Sequence, residues 1–139
     1  KLDVPDSFKE GLAKRRIKAE EEEFQELIKR SEEALKLSDE LTKKFNESKS
    51  FSTEDTRKIE RIEKLIKKIR KDLGAENDDE DEKEITPSSL SATLTIIKEK
   101  SASLLAEIKK TGRFSISVVA VESSNAILKL VRMLRFNKK

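Results

Sequence analysis

Only three glycines and two prolines punctuate a chain of 139 residues. A protein built of short strands needs a turn about every eight to twelve residues, and that many turn-forming residues are not present. Long helices are what remains. Hydrophobic residues are 35% of the chain and charged residues 42%, so the apolar stripes on those helices must be narrow. Leu, Ile, Val, Phe and Met together supply 39 side chains, enough for one bundle with aliphatic seams. The composition also removes whole classes of chemistry. With no His and no Cys, there is no imidazole base, thiolate nucleophile, disulfide or zinc finger. Trp and Tyr are absent as well. No stretch of about 18 apolar residues occurs, so no segment reads as a membrane-spanning helix.

Four helical segments are predicted, at about residues 7–48, 53–73, 87–111 and 117–136. In the first, Ile17, Phe24, Leu27, Ala34, Leu41 and Phe45 fall on heptad a and d positions, with Ile28 and Leu35 beside them. Ser31 and Ser38 continue the stripe and admit a close neighbour. The second opens with Ser52 as N-cap and Asp55 three residues on, a capping box. Ile59, Ile62, Ile66, Ile69 and Leu73 then recur by threes and fours, and Gly74 supplies a left-handed stop. For the third, Thr86 reads as the cap and Pro87 as the first helical residue. Leu90, Leu94, Ile97, Ser101, Leu104 and Ile108 follow before Gly112. The fourth begins ambiguously, because Phe114, Ile116, Val118 and Ala120 alternate as a strand would. Ala120, Ser123, Ile127, Leu130 and Leu134 keep helical spacing, and a lone strand has no partner, so helix is preferred.

The expected fold is therefore all-α: an antiparallel bundle of four helices, one helical domain over 1–139, with an overlong first helix. At 1.5 Å per residue that helix is roughly 60 Å long and the others roughly 30–38 Å. The short turn at 49–51 ties its C-terminal end to the second helix. Its N-terminal half is thus expected to project, carrying Phe8, Leu12, Ile17 and Phe24. Self-association through an antiparallel crossing would set Lys14, Arg15, Arg16 and Lys18 against Glu20, Glu21, Glu22 and Glu23. The isoleucines of the second helix are expected to face Leu94, Ile97, Leu104 and Ile108 in one continuous seam.

Charge is unevenly distributed. The net formal charge is +3, yet residues 87–139 alone hold 10 basic and 3 acidic groups. The second helix carries Arg57, Lys58, Arg61, Lys64, Lys67, Lys68, Arg70 and Lys71, at nearly every position outside its isoleucine stripe. A phosphate-binding surface is one reading; a solvated helix whose long side chains flank the seam is the preferred one. No aromatic residue stands among these bases to stack on nucleotides. Residues 75–86 form an acidic linker, expected to be flexible and, in its acidic sequence though not its length, dispensable for folding. Asn77, Asp79 and Asp81 alternate there as calcium ligands would, but Lys83 takes the next alternate position and no Gly makes the sharp turn.

No residue stands out as catalytic, cofactor-binding or metal-ligating. The run Glu20, Glu21, Glu22, Glu23 has the pattern of a helix surface, and Ser88, Ser89, Ser123 and Ser124 have no His to activate them. Two stretches carry a resemblance. Lys14-Arg15-Arg16, Phe24-Gln25-Glu26-Leu27, the run from Leu35 to Leu41 and the run from Ile59 to Lys68 resemble a family of small uncharacterised bacterial helical proteins. The run from Lys109 to Ser117, with Ser124-Asn125-Ala126 and Leu130-Val131-Arg132, is similar to the C-terminal pattern of longer members. The resemblance implies export behind a signal peptide removed ahead of Lys1, and a periplasmic or secreted location. It implies no site residue. The expected function is an extracytoplasmic helical interaction or scaffold protein, not an enzyme and without cofactors, contacting a protein partner or itself through the N-terminal half of helix one. The alternative is a binder of anionic surfaces, nucleic acid or lipid, through 57–71 and the basic C-terminal third. Nucleic acid is the less expected partner.

Overall fold

In a computed structural model, residues 5–75, 87–112, 115 and 117–137 are described. They form four helices and no strand: α1 (Asp6–Ser48), α2 (Thr53–Asp72), α3 (Leu90–Thr111) and α4 (Val118–Asn137). The fold is an all-α four-helix bundle with a long first helix. Residues 114–120 were ambiguous between strand and helix; of these, Val118 to Ala120 are helical.

Three of the four helices, α2, α3 and α4, start where a side chain satisfies a free N–H group of the first turn, whereas α1 follows Pro5 with no side-chain cap. Ser52 Oγ accepts from Asp55 N at 3.1 Å while Ser52 N donates to Asp55 Oδ2 at 2.8 Å, closing the capping box that opens α2. The start of α3 departs from expectation. Ser89, not Thr86, is its N-cap, accepting from Ala92 N at 3.0 Å, and Pro87 precedes the helix instead of beginning it. A hydroxyl three residues before a free N–H satisfies that donor, which a proline at the first position cannot do. Ser117 Oγ accepts from Ala120 N at 3.1 Å at the head of α4. At the other ends, Gly74 takes φ +84° while Ala75 N reaches back to Arg70 O at 2.8 Å, a Schellman closure. Lys49 does the same duty for α1 with φ 61°, though it is not a glycine.

The packing order is α1 beside α2, α2 beside α4, α4 beside α3 and α3 beside α1. Polar contacts between helices set the directions. Along α1, Glu33 meets Arg61 and Lys44 meets Asp55, so α2 runs antiparallel. Asp39 meets Lys98 and Glu32 meets Lys109, so α3 does too. Between α2 and α4, Arg70 meets Asn125 and Glu63 meets Arg132, again antiparallel. Every adjacent pair is therefore antiparallel, and α2 and α3 run parallel across a diagonal. The single seam expected between the α2 isoleucines and α3 does not form. Both sets enter one core, but the α2 stripe packs on α1 and α4. The tight 49–52 turn seats α2 against α1, and α3 takes α1's other flank.

The core is contiguous. Ile59, Ile66, Ile69, Leu104, Ile127, Leu130 and Val131 are each 0% exposed. On α1, burial begins at Leu27. Ser38 Oγ lies 3.4 Å from Ser101 Oγ across the α1–α3 contact, where small side chains let the two helices approach.

Candidate functional site

The basic side chains of α2 are mostly engaged within the bundle. Lys58 pairs with Glu40 at 3.3 Å. Arg61 grips Glu33 with two bonds, Nε to Oε2 at 2.9 Å and Nη2 to Oε1 at 3.0 Å. That fork holds the Glu33 carboxyl below the usual carboxylate range, and Glu33 in turn raises Arg61. Lys68 and Arg30 share Asp72. On α3, Lys98 Nζ sits 2.8 Å from Asp39, and its hydrogen bond, with that of Lys43, lowers Asp39 as well. The acids of α1 thus answer the bases of its two neighbours. What reads in sequence as a cationic stripe is, in the fold, partly engaged, by cross-helix partners at Lys58, Arg61 and Arg70 and by partners within α2 at Lys67 and Lys68.

A polar belt crosses the α2–α4 contact. The Glu63 side chain is only 5% exposed, with Arg135 Nε at 3.2 Å and Arg132 Nε and Lys67 Nζ each at 3.6 Å. One heptad on, buried Arg70 donates from Nε to Asn125 Oδ1 at 2.7 Å. These residues were missed in sequence. The available signal was that Glu63 and Arg70, seven apart, both adjoin the isoleucine stripe on the side that meets α4.

The serines weighed as nucleophiles have structural duties or stand alone. Ser89 caps α3, Ser124 Oγ donates to Val121 O at 2.8 Å, Ser123 is buried, and Ser88 is exposed. Among the described residues no group of three or more carboxylates could hold a metal ion. The linker residues Asn77, Asp79, Asp81 and Lys83 lie outside the described residues.

Among the described residues, the longest run of exposed side chains is the start of α1. From Pro5 to Glu23 every residue is exposed except Gly11, which is half-buried. This projecting arm, Asp6 to Glu23, extends roughly 27 Å beyond the first buried turn. Phe8 is 51% exposed, Leu12 43% and Ile17 51%, while Phe24 is half-buried against the core. The four do not share one face. At 3.6 residues per turn, Phe8 and Leu12 lie about 40° apart, Ile17 and Phe24 about 20° apart, and about 140° separates Leu12 from Ile17. They form the two edges of a broad strip, and Arg16, Glu20 and Glu23 lie between them. Where the arm meets the bundle, Glu20, Glu23, Phe24, Glu26, Leu27, Arg30, Lys68 and Asp72 line a groove of about 530 Å³. Val118 and Val119, 69% and 49% exposed, begin α4 at the same end of the bundle.

No described helix is long and apolar enough to cross a membrane. No known protein family, curated protein or solved structure matches the chain.

Proposed function

We propose that the protein is a helical interaction protein, a scaffold that acts by contact and not by catalysis, and that its contact element is the projecting arm of α1. One observation carries this reading: a helix that supplies the bundle with core from Leu27 onward continues for about five further turns in which no described residue is buried. Exposed large apolar side chains on such an element signal a surface meant for cover. An extracytoplasmic setting rests on the sequence resemblance. The paired state of α2 is the reason for preferring protein contact over an anionic surface, since Lys58, Arg61, Lys67 and Lys68 already face carboxylates.

Position-specific photo-crosslinking tests the reading. A photoreactive residue replacing Leu12 is expected to give a discrete protein adduct in intact bacterial cells, whereas one replacing exposed Lys64 on α2 gives none. No adduct from either position overturns the proposal. A steep, salt-sensitive retention on anionic vesicles or DNA would favour the anionic-surface alternative instead.

A further inference from the structure

The order of charges along the arm is self-complementary under a two-fold rotation. Lys14, Arg15, Arg16 and Lys18 come first, and a run of four glutamates starting at Glu20 follows. An axis perpendicular to the helix near Ala19 carries Arg15, Arg16 and Lys18 to the levels of Glu23, Glu22 and Glu20. From the geometry we infer that the occupant of the arm is a second copy of this chain, its arm laid antiparallel. This rests on the arm being the contact element and names the partner that element takes.

Three features of the fold favour this occupant. First, an antiparallel crossing places the two bundles at opposite ends of the paired arms, so their bulk does not collide. A parallel crossing would bring both bundles to one end and basic segment against basic segment. Second, the rotation carries the partner's Leu12 to the level of Glu26 and its Phe8 to the level of Arg30. Those levels are the lower rim of the bundle, where Phe24 and Leu27 line the groove beside the acidic side chains. The apolar tip of one arm thus reaches the apolar lining of the other copy's groove. Third, Val118 and Val119 are exposed at that same end. Of the large apolar side chains left in water, only Phe136 among the described residues belongs to the opposite end of the bundle. Exposed apolar surface is therefore concentrated where a second copy would arrive.

The contact is isologous: each arm gives its basic segment to the partner's acidic one and receives the converse. Charged pairs on an open helix face set orientation and speed of encounter more than they set affinity. The dimer should accordingly be concentration-dependent and should weaken as salt rises.

The test is sedimentation of the full chain over a concentration series reaching about 1 mM, where an association of millimolar strength half-fills. The unaltered chain should approach twice its monomer mass. Two charge variants test the charge pairing. In one, Lys14, Arg15, Arg16 and Lys18 are all changed to Glu; in the other, Glu20, Glu21, Glu22 and Glu23 are all changed to Lys. Each alone should remain monomeric, and an equimolar mixture should form a heterodimer. Because charge reversal can fray the arm, a gentler variant accompanies them. The chain has no cysteine, so Ala19→Cys introduces a single thiol at the axis. It should oxidise to a disulfide-linked dimer, while Ser103→Cys on exposed α3 surface should not. A chain that stays monomeric throughout, with Ala19→Cys no faster than Ser103→Cys, overturns self-association; a Leu12 crosslink to a different protein would then leave the interaction reading intact. A dimer whose charge-variant mixture fails to re-form overturns the charge pairing on which the antiparallel arrangement rests.

Discussion

Replacing Ile66 by Ala removes three carbons from a side chain that is 0% exposed and lies within the single core cluster. At about 0.8 kcal/mol for each buried carbon, the lost transfer energy is about 2.4 kcal/mol. The hole cannot collapse freely, because the α2 backbone is held by helices on two sides, so a cavity contribution of about 1–2 kcal/mol adds to it. A total near 4 kcal/mol falls within the usual range for such truncations, about 2–5 kcal/mol. Unfolding entropy is about 2.1 cal/mol/K per residue, so a bundle of roughly 100 cooperative residues gives about 0.2 kcal/mol/K. The melting temperature should then fall by about 15–20 °C. Thermal denaturation followed by far-UV circular dichroism reads this directly, and urea titration should show a lower midpoint with an unchanged slope. The matched control is Ile17→Ala on the arm, 51% exposed. That change should move stability by less than about 0.5 kcal/mol when measured at low protein concentration. A fall of under about 5 °C for Ile66→Ala, or an equal fall for Ile17→Ala, would refute the division into buried bundle and projecting arm.

The α2-to-α3 connection offers a length test, since Asp72 lies level with Arg30 and Ser91 level with Asn46, about 24 Å apart along α1. Adding the lateral step across the diagonal, deletion of 76–84 leaves a chain of about 20 Å reach between Ala75 and Leu90, so the folded state should be lost, whereas a Gly/Ser segment of equal length should leave the melting temperature nearly unchanged. Lys49 pays the steric cost of a left-handed residue at φ 61°, so Lys49→Gly should raise stability by about 0.5–1 kcal/mol; a lower melting temperature would show that its side chain matters more than its backbone. Acid should weaken the bundle in a defined direction. Glu33 and Asp39 have lowered pKa values in the fold, so their contribution is complete above the ordinary carboxylate value of about 4 and is lost as pH falls through the folded-state values. Arg61→Gln should flatten that acid limb and return the Glu33 titration, followed by NMR, to the ordinary range; a Glu33 titration unchanged by the substitution would contradict the fork.

Helix identity, the overlong first element and the caps of α2 were legible in the chain, while the cap of α3 fell at Ser89 and not at Thr86. The three-four spacing of Ile59, Ile62, Ile66 and Ile69, the Ser52–Asp55 box and the Gly74 stop are local features, and each follows from interactions within a few residues. The projection of α1 was legible too, because a count of residues times helical rise is a length. What the sequence could not contain was which helix stands beside which. The same isoleucine stripe fits α3 or α4, and only the assembled bundle sets α2 against α4 and leaves α3 across the diagonal. The fate of the charges was settled by the same step. Glu63 and Arg70 are ordinary surface residues in an isolated helix. They become a buried belt only when Arg132, Arg135 and Asn125 arrive from about sixty residues away. Backbone periodicity acts over one or two turns and is written into neighbouring residues. Burial and ion pairing act between helices distant in sequence, so they exist only once the helices have packed.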